Sequence, residues 1–296
     1  MSHLVSPKGR ALPPWLRRAW PASSDVARVR DVLSDLSLNT VCRSAQCPNQ
    51  GECWRRGTAT FMILGDVCTR DCAFCGVASG TPPPPDPGEP ARLAEAAHRL
   101  GLRHLVVTTV TRDDLPDGGA GHFVAVVKAV RARCPDAKIE VLTSDFGGDM
   151  DAVVRVAEAA PDVFGHNIET VARLHAPLRD PRASYERSLA VLRCAREALS
   201  AAHHVKSGLM VGCGEKEDEV VAALRDLRAA GCDAVTIGQY LKPAGNRAEV
   251  QEFVAPEQFG RYEQIAYDLG FAFAMAGPFV RSSYHADALT DAGRPE

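Results

Sequence analysis

The alternation of helix and strand patterns along most of the chain is the feature that most constrains its fold. Short runs rich in β-branched residues are typical of strands, and longer runs with apolar residues at helical spacing are typical of helices. The predicted strands are 60–64, 104–108, 138–142, 162–166, 204–210, 234–237 and 271–275. The predicted helices are 90–101, 121–133, 150–159, 184–199, 216–230 and 256–269. This order predicts an α/β fold with a parallel sheet, either an incomplete TIM-like barrel or a doubly wound sheet.

The bulk composition excludes several classes of protein. Of 296 residues, 46% are hydrophobic and 24% are charged, as in ordinary globular proteins, so the length permits one large or two smaller domains. The net charge of −3 is too small for a general nucleic-acid binder. The apolar runs are too short to span a bilayer, and no apolar stretch typical of a secretory signal follows the start. We therefore expect a cytoplasmic protein that binds neither nucleic acid nor membrane.

Cysteine is unusually frequent for such a chain. Six of the ten cysteines lie within residues 42–75. Because disulfides normally require an oxidising compartment, clustered cysteines here indicate metal or redox sites. The other four, Cys134, Cys194, Cys213 and Cys232, are isolated, and we interpret them as small buried hydrophobic residues.

The loop that contains Cys68, Cys72 and Cys75 has the spacing CxxxCxxC and follows a predicted strand. Three thiolates on such a loop can bind three irons of a 4Fe–4S cluster and leave the fourth iron without a protein ligand. An open coordination position is what a catalytic metal site needs. The alternative is a zinc site, which requires a fourth ligand, and no His or Cys occurs in the ten residues after Cys75.

A second triplet, Cys42, Cys47 and Cys53, precedes this loop. Alone it is weakly diagnostic, because the same spacing fits a structural metal site or three buried thiols. Its position shortly before CxxxCxxC makes it more specific. The proline-rich stretch 82–87 follows both triplets, and we interpret it as a rigid loop inside one domain, since the cysteines need the predicted barrel for a binding surface.

The CxxxCxxC loop resembles the radical S-adenosylmethionine (SAM) superfamily, in which an aromatic residue, here Phe74, precedes the last cysteine. The resemblance implies that the open iron binds the amino and carboxylate groups of SAM. It also implies that electron transfer cleaves SAM to methionine and a 5′-deoxyadenosyl radical.

Within that superfamily the chain resembles the lipoyl synthases over roughly residues 13–287. The matching segments are PPWLR at 13–17, TVC at 40–42, CPN at 47–49, GECW at 51–54, TATFMILGD at 58–66, RDDL at 112–115, DGGA at 117–120, HNIET at 166–170, KSGLM at 206–210, GQYL at 238–241 and RSSY at 281–284. Arg43, Ser44 and Cys213 depart from the family pattern, but none of them is a predicted ligand.

The lipoyl synthase resemblance implies an incomplete TIM-like (β/α) barrel with N- and C-terminal extensions that cover the open barrel mouth. Its parts would be an N-terminal extension with auxiliary-cluster cysteines (1–59), a radical SAM partial barrel (60–276) and a C-terminal segment that closes over the auxiliary cluster (277–296), all in one structural unit. The auxiliary 4Fe–4S cluster would be bound by Cys42, Cys47, Cys53 and a serine, with Ser283 favoured over Ser282. A serine oxygen is a hard ligand that holds iron weakly, which suits a cluster that is taken apart.

The resemblance also implies an activity and partners. The activity is insertion of two sulfur atoms, at C6 and C8, into an octanoyl chain bound to a lipoyl carrier protein, with the auxiliary cluster as sulfur donor. The partners are octanoylated lipoyl domains of 2-oxoacid dehydrogenase E2 subunits or glycine cleavage H protein, and an electron donor such as ferredoxin or flavodoxin. The alternative from another class is a non-catalytic iron–sulfur electron carrier or a zinc-stabilised binding protein, and the three-cysteine loop with the long series of strands and helices after it argues against both. Among enzymes, the alternative is another radical SAM enzyme that inserts sulfur or acts as a dehydrogenase.

The remaining candidates are SAM contacts. They are Asn167, Glu169, Arg112, Lys206, Gly118 and Gly119. Asn167 and Glu169 alternate after a predicted strand, so both side chains could face the barrel mouth and bind ribose hydroxyls or an ammonium group. A solvated turn is the alternative. The adjacent glycines allow close backbone approach but also fit a plain turn, and the two cations at predicted strand ends suit a carboxylate.

Overall fold

The computed structural model describes residues 12–17, 24–44, 47, 49–56 and 58–291. The strands in these ranges are β1 (Asn39–Thr40), β2 (Thr58–Ile63), β3 (Val67–Cys68), β4 (Ala78–Ser79), β5 (His104–Thr109), β6 (Lys138–Leu142), β7 (Val163–Gly165), β8 (His204–Val211), β9 (Ala234–Gln239) and β10 (Phe273–Gly277). The α-helices are α1 (Ser24–Asp35), α2 (Val41–Ser44), α3 (Gln50–Arg55), α4 (Glu89–Leu100), α5 (Ala120–Arg133), α6 (Met150–Glu158), α7 (Ala172–Leu178), α8 (Tyr185–Ala198), α9 (Glu217–Ala229), α10 (Pro256–Asp268) and α11 (Ala286–Asp291). Parts of the predicted extensions 1–59 and 277–296 therefore lie outside the described residues, as do the side chains of Arg43 and Ser44.

Eight strands form one sheet in the order β1-β2-β5-β6-β7-β8-β9-β10. Neighbouring strands are parallel except β1 and β2, which are antiparallel. From β2 to β10 the spatial order follows the chain order, whereas a doubly wound sheet reverses direction at a switch point. Within the described ranges the edge strands β1 and β10 do not pair with each other, so the barrel is open. The incomplete TIM-like barrel is thus confirmed, and the doubly wound alternative is wrong.

Helices cover the outside of the barrel, and α4, α5, α6, α8, α9 and α10 pack against one another in succession. Each helix buries an apolar stripe, such as Leu93 in α4, Phe123 in α5 and Leu224 in α9, and this burial explains the helical spacing of apolar residues in the sequence. The six predicted helices and seven predicted strands all form, and their ends differ from the prediction by at most two residues. None of the helices described is both long and apolar enough to cross a membrane.

After β10 the chain turns back into the barrel and runs toward the amino ends of the strands. Its last helix, α11, reaches the start of β5, where Thr290 Oγ1 lies 3.3 Å from His104 Nδ1. Before α11 the segment contacts α3, because His285 Nε2 lies 2.9 Å from Glu52 Oε1. The end of the described chain is therefore packed against both the barrel and an N-terminal helix.

Candidate active site

A cavity of about 360 Å³ lies at the carboxyl ends of the strands, where enzymes with TIM-type barrels place their chemistry. Its size falls within the range of roughly 300–1,000 Å³ that is typical of small-molecule sites. Five of the six predicted cluster cysteines line it: Cys42, Cys47, Cys68, Cys72 and Cys75. The two triplets, which are separate in the sequence, therefore open onto one space.

The CxxxCxxC loop presents its sulfur atoms to backbone amide groups. The amides of Arg70 and Thr111 donate to Cys68 Sγ at 3.4 and 3.3 Å, and the amide of Asp180 donates to Cys72 Sγ at 3.4 Å. Such bonds favour thiolate over thiol. Burial works in the opposite direction, since it raises the pKa of Cys72 and raises the pKa of Cys75 to about 11. The thiols of Cys72 and Cys75 therefore lose their protons chiefly when a metal takes their place.

Arg70, inside this loop, is the loop's main anchor. Its guanidinium lies 2.7 Å from Asp113 Oδ1 and 2.8 Å from Asp145 Oδ1, and only 2% of its side chain is exposed. Burial alone would raise the pKa of Asp145, but the hydrogen bond and charge of Arg70 hold it below the usual value. A buried arginine that bridges these two carboxylates fixes the cysteine loop to the segments that directly follow β5 and β6.

The loop is also held from the other side of the mouth. The Ala73 amide donates to Leu178 O at 2.8 Å, and Arg247 Nη1 lies 2.6 Å from Asp71 Oδ1. The three thiols are therefore presented by a loop with contacts on several sides, as a preorganised metal site requires.

The N-terminal triplet is spread over short elements. Cys42 lies in α2, Cys53 lies in α3, and Cys47 lies between them, with its amide donating to Cys42 O at 3.0 Å. Burial and then the charge of Cys47 raise the pKa of Cys42 to about 11 and the pKa of Cys53 to about 12. Cys47 therefore lies close enough to Cys42 and Cys53 for their charges to interact, although Cys53 does not line the cavity.

The donor sets suit iron–sulfur clusters, since soft thiolates are the protein ligands of such clusters. Within the ranges that the structure describes, no three His, Cys, Asp or Glu side chains converge closely enough to bind one metal ion. Thiolates that ligate a cluster bind different irons, so they need not converge in that way.

The two predicted serines both line the cavity, but their hydroxyl groups differ. Asn167 Nδ2 donates to Ser282 Oγ at 2.7 Å. Among the residues described, Ser283 Oγ has no hydrogen-bond partner. The neighbouring Arg281 also lines the cavity and lies close enough to Cys47 for their charges to interact. Ser282 and Ser283 therefore lie in the same cavity as Cys42 and Cys47, more than 230 positions away in the chain.

Asn167 and Glu169 line the cavity as predicted from their spacing. Asn167 Nδ2 lies 3.2 Å from Glu169 Oε1, and Arg179 Nη1 lies 3.9 Å from the same oxygen. Burial raises the pKa of Glu169, and the charge of Arg179 opposes this shift. Glu169 has a φ of 70°, and backbone hydrogen bonds to Gly208 and Met210 hold it there. A non-glycine residue fixed in this region is a common feature of functional sites.

The other four predicted SAM contacts are not among the residues that line the cavity. Lys206 is buried and lies 3.0 Å from Glu140 Oε1. Arg112 pairs with Asp114 at 2.8 Å and donates to Leu64 O at 3.1 Å. Gly118 and Gly119 have φ values of 59° and 92°, which fits the turn alternative. No contact in the structure therefore supports a SAM role for these four residues, and that role stays a prediction.

Comparison with known proteins identifies the family. Residues 62–227 match the family model of the Radical SAM superfamily. A lipoyl synthase from Caldanaerobacter subterraneus subsp. tengcongensis is 54% identical over 93% of this chain and 95% of its own length. A lipoyl synthase from Pyrobaculum calidifontis is 55% identical over 93% of this chain and 94% of its own length. The chain belongs to the lipoyl synthase family.

Solved structures agree with the fold of this lipoyl synthase family member. SuiB from Streptococcus suis bound to S-adenosylmethionine has a TM-score of 0.56 at 11% identity, with 77% of this chain and 54% of that chain covered. Methylornithine synthase (PylB) has a TM-score of 0.54 at 13% identity, with 89% and 90% covered. The matches to lipoyl synthases and to the Radical SAM family model confirm the resemblance found in the sequence. Membership of the radical SAM superfamily implies SAM and a 4Fe–4S cluster as cofactors.

Two residues that line the cavity of this lipoyl synthase family member, Arg179 and His166, were not predicted as site residues from the sequence. Arg179 lines the cavity, lies 5.9 Å from the centre of the Phe74 ring, and has a buried Nε without a hydrogen-bond partner among the described residues. His166 lies between Thr143 O and Ser188 Oγ at 3.0 Å each, and burial lowers its pKa to about 4, so the ring is neutral. His166 belonged to a matching segment, but Arg179 stood in no motif.

Proposed function

We propose that this chain is a lipoyl synthase, which inserts two sulfur atoms at C6 and C8 of an octanoyl chain on a lipoyl carrier protein. The observation that carries the proposal is the single cavity lined by members of both cysteine triplets. A site that generates a radical and a site that releases sulfur must reach the same carbon chain. Shared access through one cavity meets that requirement.

Cys68, Cys72 and Cys75 hold the 4Fe–4S cluster at which SAM binds. When bound, this cluster and SAM supply the 5′-deoxyadenosyl radical that removes hydrogen from an unactivated carbon. The chain itself orients the reactants and excludes water. Arg70 fixes the cysteine loop, and Asn167 and Glu169 provide an amide and a carboxylate for the ribose and ammonium groups of SAM.

Cys42, Cys47 and Cys53 hold the second, auxiliary 4Fe–4S cluster, and Ser283 is its fourth ligand. The free hydroxyl of Ser283 supports this choice over Ser282, whose oxygen already accepts a hydrogen bond from Asn167. Oxygen binds iron less firmly than thiolate does, so a cluster held by these three cysteines and Ser283 would be the more labile of the two and would serve as the source of sulfur.

The three parts of the chain act as one structural unit: the extension 1–59, the partial barrel 60–276 and the C-terminal segment 277–296. The contacts of Glu52 with Tyr284 and His285 support this, since they join the described ends of the chain. The carrier is an octanoylated lipoyl domain of a 2-oxoacid dehydrogenase E2 subunit or glycine cleavage H protein. Electrons come from a ferredoxin or flavodoxin, and the reaction takes place in the cytoplasm.

Mass spectrometry of an octanoylated carrier peptide tests the proposal. After anaerobic reaction with SAM and dithionite, we expect a product that has gained two sulfur atoms, with two 5′-deoxyadenosine molecules formed for each product. The Cys68→Ala protein is the control and should form neither. A wild-type protein that carries both clusters and cleaves SAM, but leaves the peptide without sulfur, would disprove the proposal.

A further inference from the structure

Two matching segments of the sequence, KSGLM and GQYL, have glycines to which the proposed chemistry gives no role. These are Gly208 in β8 and Gly238 in β9. Both are buried on adjacent, paired strands of the barrel. Neither has a positive φ that would demand glycine, so the reason for their small size must lie in what they pack against.

Gly238 packs against the backbone of the C-terminal segment. A Cβ atom on Gly238 would lie 2.1 Å from Val280 O and 3.1 Å from Val280 C. These are backbone atoms, so they cannot turn away as the end of a flexible side chain can. Any side chain at position 238 must therefore displace the segment that carries Ser282 and Ser283.

Gly208 packs against the next part of the same segment. A Cβ atom there would lie 3.2 Å from Ser282 Oγ, 3.0 Å from Asn167 Oδ1 and 2.7 Å from Thr236 Oγ1. The hydrogen bond of 2.7 Å from Asn167 to Ser282 spans this position. The glycine thus leaves room for the hydrogen bond that fixes Ser282.

We propose that Gly208, Gly238 and Asn167 are positioning residues, which seat the segment 280–283 inside the barrel and so determine which serine reaches the auxiliary site. The segment packs directly against the two glycines, and Asn167 donates a hydrogen bond to Ser282. Ser283 is then the serine whose hydroxyl is left to face the cavity. This inference rests on the proposed function, in which a serine completes the auxiliary cluster.

The arrangement gives Asn167 contacts with both halves of the site. Its amide reaches Ser282 on the C-terminal segment and Glu169 at the proposed SAM contacts. One side chain therefore joins the serine-bearing segment to the place where SAM is proposed to bind. A displaced segment leaves the CxxxCxxC loop intact, because Arg70 and its carboxylate partners anchor that loop without it.

Gly238→Ala is the test, with Gly260→Ala as the matched control. Gly260 lies in α10, and a Cβ atom there would meet nothing within 4 Å. Hydrogen–deuterium exchange on the purified protein should show faster exchange in Gly238→Ala, by about tenfold or more, confined to the peptide that covers 278–285. The control should match the wild type. This measurement does not depend on activity, so it stands even if the protein proves not to be a lipoyl synthase.

The reconstituted proteins give the second measurement. Gly238→Ala should still form 5′-deoxyadenosine from SAM but should yield less thiolated peptide than Gly260→Ala. If the Gly238→Ala protein does not fold, Ser282→Ala replaces it, since this change adds no atoms, and Ser282→Thr should restore the wild-type exchange rate. Unchanged exchange over 278–285 in both Gly238→Ala and Ser282→Ala would overturn the inference. Wild-type protein that makes no thiolated product would instead overturn the proposed function.

Discussion

The two cysteine triplets of the cavity are built in different ways. Cys68, Cys72 and Cys75 lie on one loop, which Arg70 fixes to two carboxylates of the barrel. The N-terminal triplet comes from α2, α3 and the chain between them, and a segment 230 residues later completes its surroundings. The first site is thus part of the barrel, whereas the second is assembled from the two ends of the chain. A site that keeps its metal and a site that gives up its sulfur would be expected to differ in this way.

Cys68→Ala should have the largest effect, because it removes a proposed ligand from the site on the barrel. We expect loss of both 5′-deoxyadenosine and thiolated peptide, down to the background without enzyme. Cys134→Ala, at a partly exposed cysteine outside the cavity, is the control and should keep both products. SAM cleavage at the wild-type rate in Cys68→Ala would show that the loop has been assigned wrongly.

Cys42→Ala should affect the two proposed sites differently. It leaves the CxxxCxxC loop intact, so we expect SAM binding and 5′-deoxyadenosine to persist while thiolated peptide is lost. Both products are measured in the same anaerobic reaction, after iron and sulfide analysis has verified that one cluster remains. If Cys42→Ala still formed the lipoyl product, the N-terminal cluster could not be the sulfur donor.

Ser283→Ala and Ser282→Ala should differ in the same assay. Ser283→Ala removes the proposed ligand and should abolish thiolated peptide without stopping SAM cleavage. Ser282→Ala removes only the hydrogen bond from Asn167 and should reduce the thiolated product less. The opposite order, with Ser282→Ala the more damaging, would make Ser282 the ligand.

The barrel could be predicted from the sequence because its signals are local. Strand β6 forms over the predicted residues 138–142, and Leu93 in α4 and Leu224 in α9 follow the helical spacing of a buried face. The elements that were not predicted from the sequence lack such local signals. Helix α7 has only seven residues and contains Pro177, and β1 has only two residues.

The site was only partly predictable, since many of its contacts join distant residues. The spacing CxxxCxxC was visible, but the pair of Arg70 with Asp145 spans 75 positions and leaves no pattern. Lys206 was predicted as a SAM contact because it is a cation at a predicted strand end. Its buried partner, Glu140, lies on another strand and was not visible from the sequence. Ser283 required the family resemblance, because no local pattern joins a C-terminal serine to N-terminal cysteines.

Arg70→Ala should measure how firmly the barrel holds the first site. Removing one partner of a buried ion pair costs about 3–5 kcal/mol, and Asp145, with 2% of its side chain exposed, loses its nearest positive charge and keeps only Arg187 at 3.4 Å, so we expect the lower end of this range. Urea denaturation should report this loss in the free energy of unfolding. Arg99→Ala, which breaks solvent-exposed pairs with Asp35 and Glu95, should change it much less, because water screens such pairs. Equal effects of the two changes would contradict the anchoring role of Arg70.

Glu52→Ala should have the smallest effect and should act on the second site alone. Glu52 Oε1 accepts from Tyr284 Oη at 3.1 Å and lies 2.9 Å from His285 Nε2, so the carboxylate joins the helix of Cys53 to the C-terminal segment. Its side chain is 26% exposed, so water replaces part of what is lost, and we expect a cost of about 1–2 kcal/mol. The loop of Cys68 makes no use of this contact. Iron and sulfide analysis after mild chelation should therefore show loss of one cluster from Glu52→Ala and retention of the other. Glu52→Gln keeps an acceptor oxygen and should retain more of the second cluster. Equal loss of both clusters in Glu52→Ala would mean that the two sites are not held independently, and the contrast between a site within the barrel and a site between the chain ends would fail.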